Sequence, residues 1–299
     1  MERSGADARG WFVPTSFSFT RHRSRPRFHA MKCLGLIGGI GWESTALYYR
    51  LVNDAVRNRF GSLYSARMLI NSLDFQSLDS LVKENRWNDA GAFLGEAAQT
   101  LERAGAEGIV ICSNLMHYVA EHVEAAVDIP VLHIGDAVLK ELRAMRVQRV
   151  GLIGTRFTLE HDFLLHRPAE KPLAGRPRKP INVLVPDARD YAELDRIIYG
   201  ELCRQQVTES SRATLLRIAG DLRQQGAQAI VLASSELALL LQPDDFTQPL
   251  LDGTELHALA AARWAMDGRA SAPQRRAASG SRAQLRPGKP ATRARADGS

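Results

Sequence analysis

Gly105-Ala106-Glu107-Gly108-Ile109-Val110-Ile111-Cys112-Ser113-Asn114 has a second copy about 120 residues later, Gly226-Ala227-Gln228-Ala229-Ile230-Val231-Leu232-Ala233-Ser234-Ser235-Glu236. Each copy reads as a helix stop at glycine, a short apolar run rich in β-branched residues, then small polar residues opening a new helix. This is the pattern of a buried parallel strand that ends in a loop suited to function. Any two strands of a parallel sheet look alike, because helices cover both faces and leave plain Val/Ile/Leu runs. Two further matches in the same order decide for duplication. Val150-Gly151-Leu152-Ile153-Gly154-Thr155 repeats Leu34-Gly35-Leu36-Ile37-Gly38-Gly39, and Pro249-Leu250-Leu251 answers Pro130-Val131-Leu132. The expectation is two halves of similar length facing each other across a cleft, with a ligand site lined by one loop from each.

Strand and helix patterns alternate on either side of these segments. The class is therefore α/β, two pseudo-symmetric parallel-sheet domains with the active-site cleft between them. The first half spans 31–146 and the second 147–268. Predicted helices of the first half run from Trp42 to about Phe60, Asp74 to Asn85, Asn88 to Ala104, Met116 to Val127 and Asp136 to Met145. In the second half they run from Leu159 to Leu165, Ala188 to Cys203, Glu209 to Gln225, Ser235 to Leu241 and Thr254 to Met266. In such sheets ligands gather at the carboxyl ends of the strands, where Cys112 and Ser234 both fall.

The 299 residues, 45% of them hydrophobic, supply enough apolar material for one large or two modest cores. No run approaches the roughly 18 apolar residues needed to span a bilayer, so a membrane partner is not expected. The net charge of +6 is concentrated at the ends. Residues 1–30 hold six Arg against two acids, and residues 269–299 hold eight Arg or Lys against one, so the body between them is acidic. The basic balance thus belongs to the tails, and no nucleic-acid surface is expected on the body. The first 30 residues read as a disordered or non-native extension before Met31, and 269–299 as a disordered basic tail.

Cys33, Cys112 and Cys203 are too few and too scattered for a disulfide framework or a CxxC site, and the eight histidines include no pair at helical metal-ligand spacing. No metal is assigned. Reduced thiols point to a cytoplasmic protein. Cys33 lies in a strand and Cys203 in a helix, so both read as packing residues. The Gly38-Gly39-Ile40-Gly41 turn from strand into helix is suited to an anion, because bare amides and the helix dipole point outward. It lacks the third glycine of the dinucleotide fingerprint and the Gly-Lys-Ser/Thr of a P-loop.

The chain resembles the cofactor-independent aspartate/glutamate racemase superfamily, in particular its aspartate racemase or broad-specificity amino-acid racemase branch. The likeness is carried by Gly35-Leu36-Ile37-Gly38-Gly39 with Trp42-Glu43-Ser44-Thr45, Ala104 to Val110, Cys112-Ser113-Asn114 with Met116-His117, Gly154-Thr155-Arg156-Phe157-Thr158, and Glu201-Leu202-Cys203. It covers about residues 31–268. It implies a homodimer acting on a small-molecule amino acid without cofactor, with two cysteines on either side of Cα. One thiolate removes the Cα proton and the other thiol returns a proton from the far side.

On this resemblance Cys112 stands for the first cysteine. Ser234 stands where the family has the second, in Ala233-Ser234-Ser235-Glu236 for the family's Gly-Cys-Thr-Glu. The expected catalytic residues are therefore Cys112 and Ser234, and the expected substrate contacts Gly39, Ile40, Ser113, Asn114, Ser235, Glu236 and Arg156. Leu115 replaces the small hydroxyl residue usual in the family. A serine hydroxyl is a weak base unless another group takes its proton. Three outcomes stay open: a racemase in which Ser234 is assisted, an impaired relative that binds an amino acid without racemising it, and a single-thiol lyase or isomerase.

Overall fold

Among the described residues the apolar runs become eight strands in two parallel sheets of four. The computed structural model describes residues 31–166 and 180–267; the terminal segments and most of the proline-rich stretch before Ile181 lie outside the described residues. In the first sheet β1 (Leu34–Gly38) sits between β2 (Met68–Ser72) and β3 (Gly108–Ile111), and β4 (Val131–Leu132) closes the far edge, giving the order β2-β1-β3-β4. The second repeats it as β6-β5-β7-β8, with β5 (Arg149–Ile153), β6 (Asn182–Leu184), β7 (Ala229–Leu232) and β8 (Leu250–Asp252). All pairings are parallel. The central strands β1, β3 and β7 are buried along their whole length, which is why they carry no polar alternation.

The duplication extends to individual contacts. A Cβ on Gly35 would stand 3.1 Å from Leu101 Cβ, and one on Gly151 3.2 Å from Leu222 Cβ. Both glycines admit the helix that crosses their strand, α3 (Trp87–Arg103) in the first lobe and α8 (Glu209–Gln224) in the second. Both helices stop in the same way. Gly105 and Gly226 take φ of 100° and 97°, and the next amide in each case returns to the helix, Ala106 to the Leu101 carbonyl and Ala227 to the Leu222 carbonyl, each at 3.0 Å.

Each lobe has its sheet within the expected half, but the last helix of each half crosses over. Helix α5 (Ile134–Ala144) packs Ile134, Val138 and Leu142 into the second-lobe core with Val150, Leu152 and Leu222. Helix α9 (Gly253–Met266) lays Ala258, Ala261, Ala262 and Ala265 against Leu34, Leu36, Tyr48 and Val110 of the first lobe. The boundary at 146/147 therefore divides the sequence, while the packing ties residues 31–267 into one body. Amphipathic patterning shows that a helix has an apolar face without naming what covers it.

Several predicted helices differ in kind. Leu115–Val119 is a 3-10 turn ahead of α4 (Ala120–Ala126), and Ser235–Leu239 is also 3-10. Helix α6 occupies Arg156–His161 instead of Leu159–Leu165, because Thr155 accepts from the Thr158 amide and starts it early. The long helix expected over Ala188–Cys203 is a 3-10 turn at Ala188–Asp190, a short α7 (Tyr191–Asp195), a π-helical segment at Arg196–Glu201 and a final 3-10 turn at Leu202–Arg204.

Candidate active site

The carboxyl ends of the two sheets enclose a cleft of about 520 Å³. From the first lobe it is lined by the loop after β1 with the start of α1 (Trp42–Phe60), by one face of α2 (Phe75–Lys83), and by Ser113 to Met116 after β3. From the second come Thr155 and Thr158 after β5, Ala233 to Glu236 after β7, and Ile198, Tyr199, Cys203 and Gln205 from the irregular helix. Gly39, Ile40, Ser113, Asn114, Ser234, Ser235 and Glu236 thus meet in one cavity.

Cys112 does not join them. Its amide donates to the Ile37 carbonyl at 2.9 Å, as the amide of Ala233 donates to the Ile153 carbonyl at 2.8 Å. The backbone therefore equates Cys112 with Ala233, Ser113 with Ser234 and Asn114 with Ser235. Ile109 and Ile111 enter the core under α3, while Val110 and Cys112 face the layer formed by α1 and α9. Cys112 continues the alternation of β3, so its side chain lies inside, 0% exposed, and burial pushes its thiol far above the usual range. The residue of this loop that lines the cleft is the next one, Ser113. The pair at the ends of the two strands is Ser113 and Ser234, neither of them a thiol.

The Ser234 hydroxyl donates to Glu236 Oε2 at 2.5 Å. Ser113 Oγ accepts from the Met116 amide at 3.4 Å, and its carbonyl is bound by His117 Nδ1 at 2.7 Å. A carbonyl accepts, so Nδ1 carries the hydrogen and Nε2 is left to accept from the Ile134 amide at 3.2 Å. Buried His117 thereby ties the Ser113 loop to α5. Beneath it Asn114 Nδ2 donates to Thr254 Oγ1 at 3.0 Å, while Asn114 Oδ1 has no partner. Asp252 caps α9 by accepting from the Thr254 and Glu255 amides, and burial raises its carboxyl to about 6. His257 is buried between Tyr48, whose hydroxyl meets Nδ1 at 2.7 Å, and the Leu132 carbonyl, 2.6 Å from Nε2; burial holds it down at about 4, hence neutral.

The loop after β1 is shaped by glycine. Gly39 has φ of 77°, and a Cβ there would fall 2.1 Å from the Leu73 carbonyl oxygen. Its amide donates to Thr45 Oγ1 at 2.9 Å. No side chain caps α1, so its first amides face the cleft beside Ser44, whose buried Oγ is also unpartnered.

Arg156 lies elsewhere. With α6 beginning at residue 156, its amide binds Asp195 Oδ1 at 2.9 Å and its exposed guanidinium stands 4.0 Å from the same carboxylate, outside the cleft lining. Thr155 and Thr158 hold the cleft positions instead.

Cys203, read as a packing residue, is an exposed wall of the cleft. Partial desolvation, with the carboxylates of Glu236 and Glu43, pushes its thiol up to about 12. The segment before it is anchored by Glu201, which accepts from Ser211, Arg196 and Thr208, and these bonds lower its carboxyl. Glu201 is thus a clasp outside the cavity that presents Tyr199 and Cys203 to it. Phe75, Gln76, Asp79 and Lys83 were also missed, although their spacing puts them on one side of a helix that follows a strand end. Among the described residues no cluster of His, Cys, Asp or Glu is disposed to hold a metal, and no helix is long and apolar enough to cross a membrane.

The structure resembles that of a candidate Asp/Glu racemase from Yersinia pestis, with 41% identity over 79% of this chain and 100% of that one and a TM-score of 0.73. An aspartate racemase homologue from Pyrococcus horikoshii OT3 is 30% identical over 79% of this chain and 99% of its own, with a TM-score of 0.67. Picrophilus torridus aspartate racemase shares the fold at 16% identity, with a TM-score of 0.59 over 78% of this chain and 94% of its own. Residues 37–261, both lobes and the cleft between them, match the model of the Asp/Glu/hydantoin racemases, and it is to this family that the chain belongs.

Proposed function

We propose that the protein is a cofactor-independent amino-acid racemase working in the interlobe cleft, with Ser234 assisted by Glu236 as one acid/base and Ser113 as the other. The observation that carries it is the short Ser234–Glu236 hydrogen bond on the cleft wall. In the proposed step the Cα–H bond breaks, its electron pair is spread into the substrate carboxylate, and the proton passes to the Ser234 oxygen as the hydroxyl proton passes to Glu236. A proton from the Ser113 hydroxyl then forms the new C–H bond on the other side, and water takes the proton held by Glu236 and returns one to the Ser113 oxygen, so that both groups are restored. The bare amides at the start of α1 are suited to the α-carboxylate. The two enantiomers have equal free energy, so assistance to either serine speeds both directions alike.

A second reading, an amino-acid-binding relative without racemase activity, is favoured by one specific observation. The only thiol on the cleft among the described residues is that of Cys203, held protonated at neutral pH. A serine is intrinsically the poorer base. Incubation with single amino acids in heavy water separates the readings. Cα exchange with inversion supports the racemase, exchange with retention indicates a single working base, and binding without exchange supports the second reading.

A further inference from the structure

We propose that the amino acid taken by this cleft has a cationic side chain, of the lysine, ornithine or arginine class, and that Glu43 is the residue that selects it. The inference rests on the amino-acid reading above and fixes the substrate class. Among the described residues, the charged ones lining the cavity are Glu43, Asp79, Lys83 and Glu236. Lys83 is committed, its ammonium 2.5 Å from Asp79 one helical turn away. Among the described residues no arginine lines the cavity, and Arg156 turns outward to Asp195. Two carboxylates remain, Glu236 with the Ser234 hydroxyl and half-buried Glu43, for which no hydrogen bond or ion pair is found among the described residues.

The neutral polar groups lie deeper. Asn114 has its amide nitrogen committed to Thr254, so its unpartnered Oδ1 can only accept, and the residue is 6% exposed. Ser44, 5% exposed, has an equally unpartnered Oγ on the same wall. Both atoms lie beneath the lining, so the acceptors that reach the cavity are the carboxylates of Glu43 and Glu236, and two carboxylates call for a ligand with more than one N–H-bearing group. An α-ammonium answers Glu236, and a second cation answers Glu43. An aspartate or glutamate side chain would bring an extra carboxylate among carboxylates, with the one ammonium already used. Leu115, Phe75 and Tyr199 of the lining offer apolar surface to a methylene stem.

The test uses the full chain with L-lysine, L-norleucine, which has the same stem without the charge, and L-glutamate. Cα exchange in heavy water is followed by NMR and binding by calorimetry. Lysine is expected to exceed norleucine by about tenfold and glutamate by about a hundredfold in both, and Glu43→Gln to bring the lysine-to-norleucine ratio toward one, with Glu43→Asp restoring part of it. Preferential lysine binding without exchange supports this inference and overturns the racemase reading. Exchange of glutamate at or above the rate of lysine, or equal handling of all three, overturns this inference and leaves the racemase reading standing. Failure of all three amino acids to bind overturns both, and because the wild-type preference is measured first, a misfolded variant does not decide the outcome.

Discussion

Ser234 and Glu236 are joined by a hydrogen bond of 2.5 Å from hydroxyl to carboxylate, two residues apart on the loop that ends β7. Such a pair gives a serine what it otherwise lacks, an acceptor for its own proton at the moment it receives one. Ser234→Ala and Glu236→Gln are each expected to lower Cα exchange by about a hundredfold, and the double variant by little more than either alone, because residues acting as a unit are not additive. Independent, multiplying losses would argue that the two act separately.

The conformation of the loop after β1 makes a prediction about stability. Gly39→Ala places a methyl 2.1 Å from the Leu73 carbonyl at a φ of 77° and is expected to cost about 2–4 kcal/mol in denaturant unfolding. Gly220→Ala, inside α8 with nothing within 4 Å of the added methyl, is expected to stabilise by about 0.5–1 kcal/mol. Equal effects at the two sites would contradict the geometry of the loop.

The three cysteines differ in access. Cys203 is exposed on the cleft, whereas Cys33 and Cys112 are buried. A maleimide reagent followed by peptide mass spectrometry is expected to modify Cys203 first, slowly at neutral pH and faster as pH rises, since its thiol is held at about 12. Early labelling of Cys112 in the native protein would show that its strand end opens to solvent.

Two groups near the start of α9, half-buried Asp252 and buried His257, pull stability in opposite directions with pH. His257 is held at about 4 against an ordinary 6.5, so the unfolded chain takes up its proton first, and stability falls between pH 6.5 and 4 by on the order of 3 kcal/mol. Asp252 is raised from 3.8 to about 6, so the native state keeps a proton the unfolded chain releases, and stability rises by a similar amount as pH falls from 6 to 3.8. The two effects offset each other between about pH 4 and 6. Asp252→Asn, which keeps an oxygen for the α9 cap, removes one of them and is expected to make stability drop more steeply on acidification than in the wild type, measured by urea midpoints. Parallel profiles would contradict this assignment.

Much of the fold was legible because buried parallel strands are written as uninterrupted Val/Ile/Leu runs, and the two copies from Gly105 and Gly226 carry the same helix stop. The site was legible by loop but not by residue. Pairing a thiol with a hydroxyl set Cys112 against Ser234, one place out of the backbone register, and in a strand one place is the difference between cleft and core. Arg156 was misplaced because the Thr155 cap starts α6 three residues early. Tyr199, Cys203 and the face of α2 depend on how separate elements meet, and the π-helical turn that presents Cys203 has no strong local signal. The crossing of α5 and α9 between lobes was illegible for the same reason.

Cα exchange in heavy water by wild type, Cys112→Ser and the Ser113→Cys/Ser234→Cys double variant bears most directly on which side chains stand at the reacting carbon. If the strand-end serines hold those positions, the double variant exchanges at least about tenfold faster than wild type, since a thiol supplies thiolate near neutral pH and a serine does not, and Cys112→Ser leaves the rate unchanged. Loss of exchange in a folded Cys112→Ser protein, with no gain in a folded double variant, would return the chemistry to Cys112 and contradict the account.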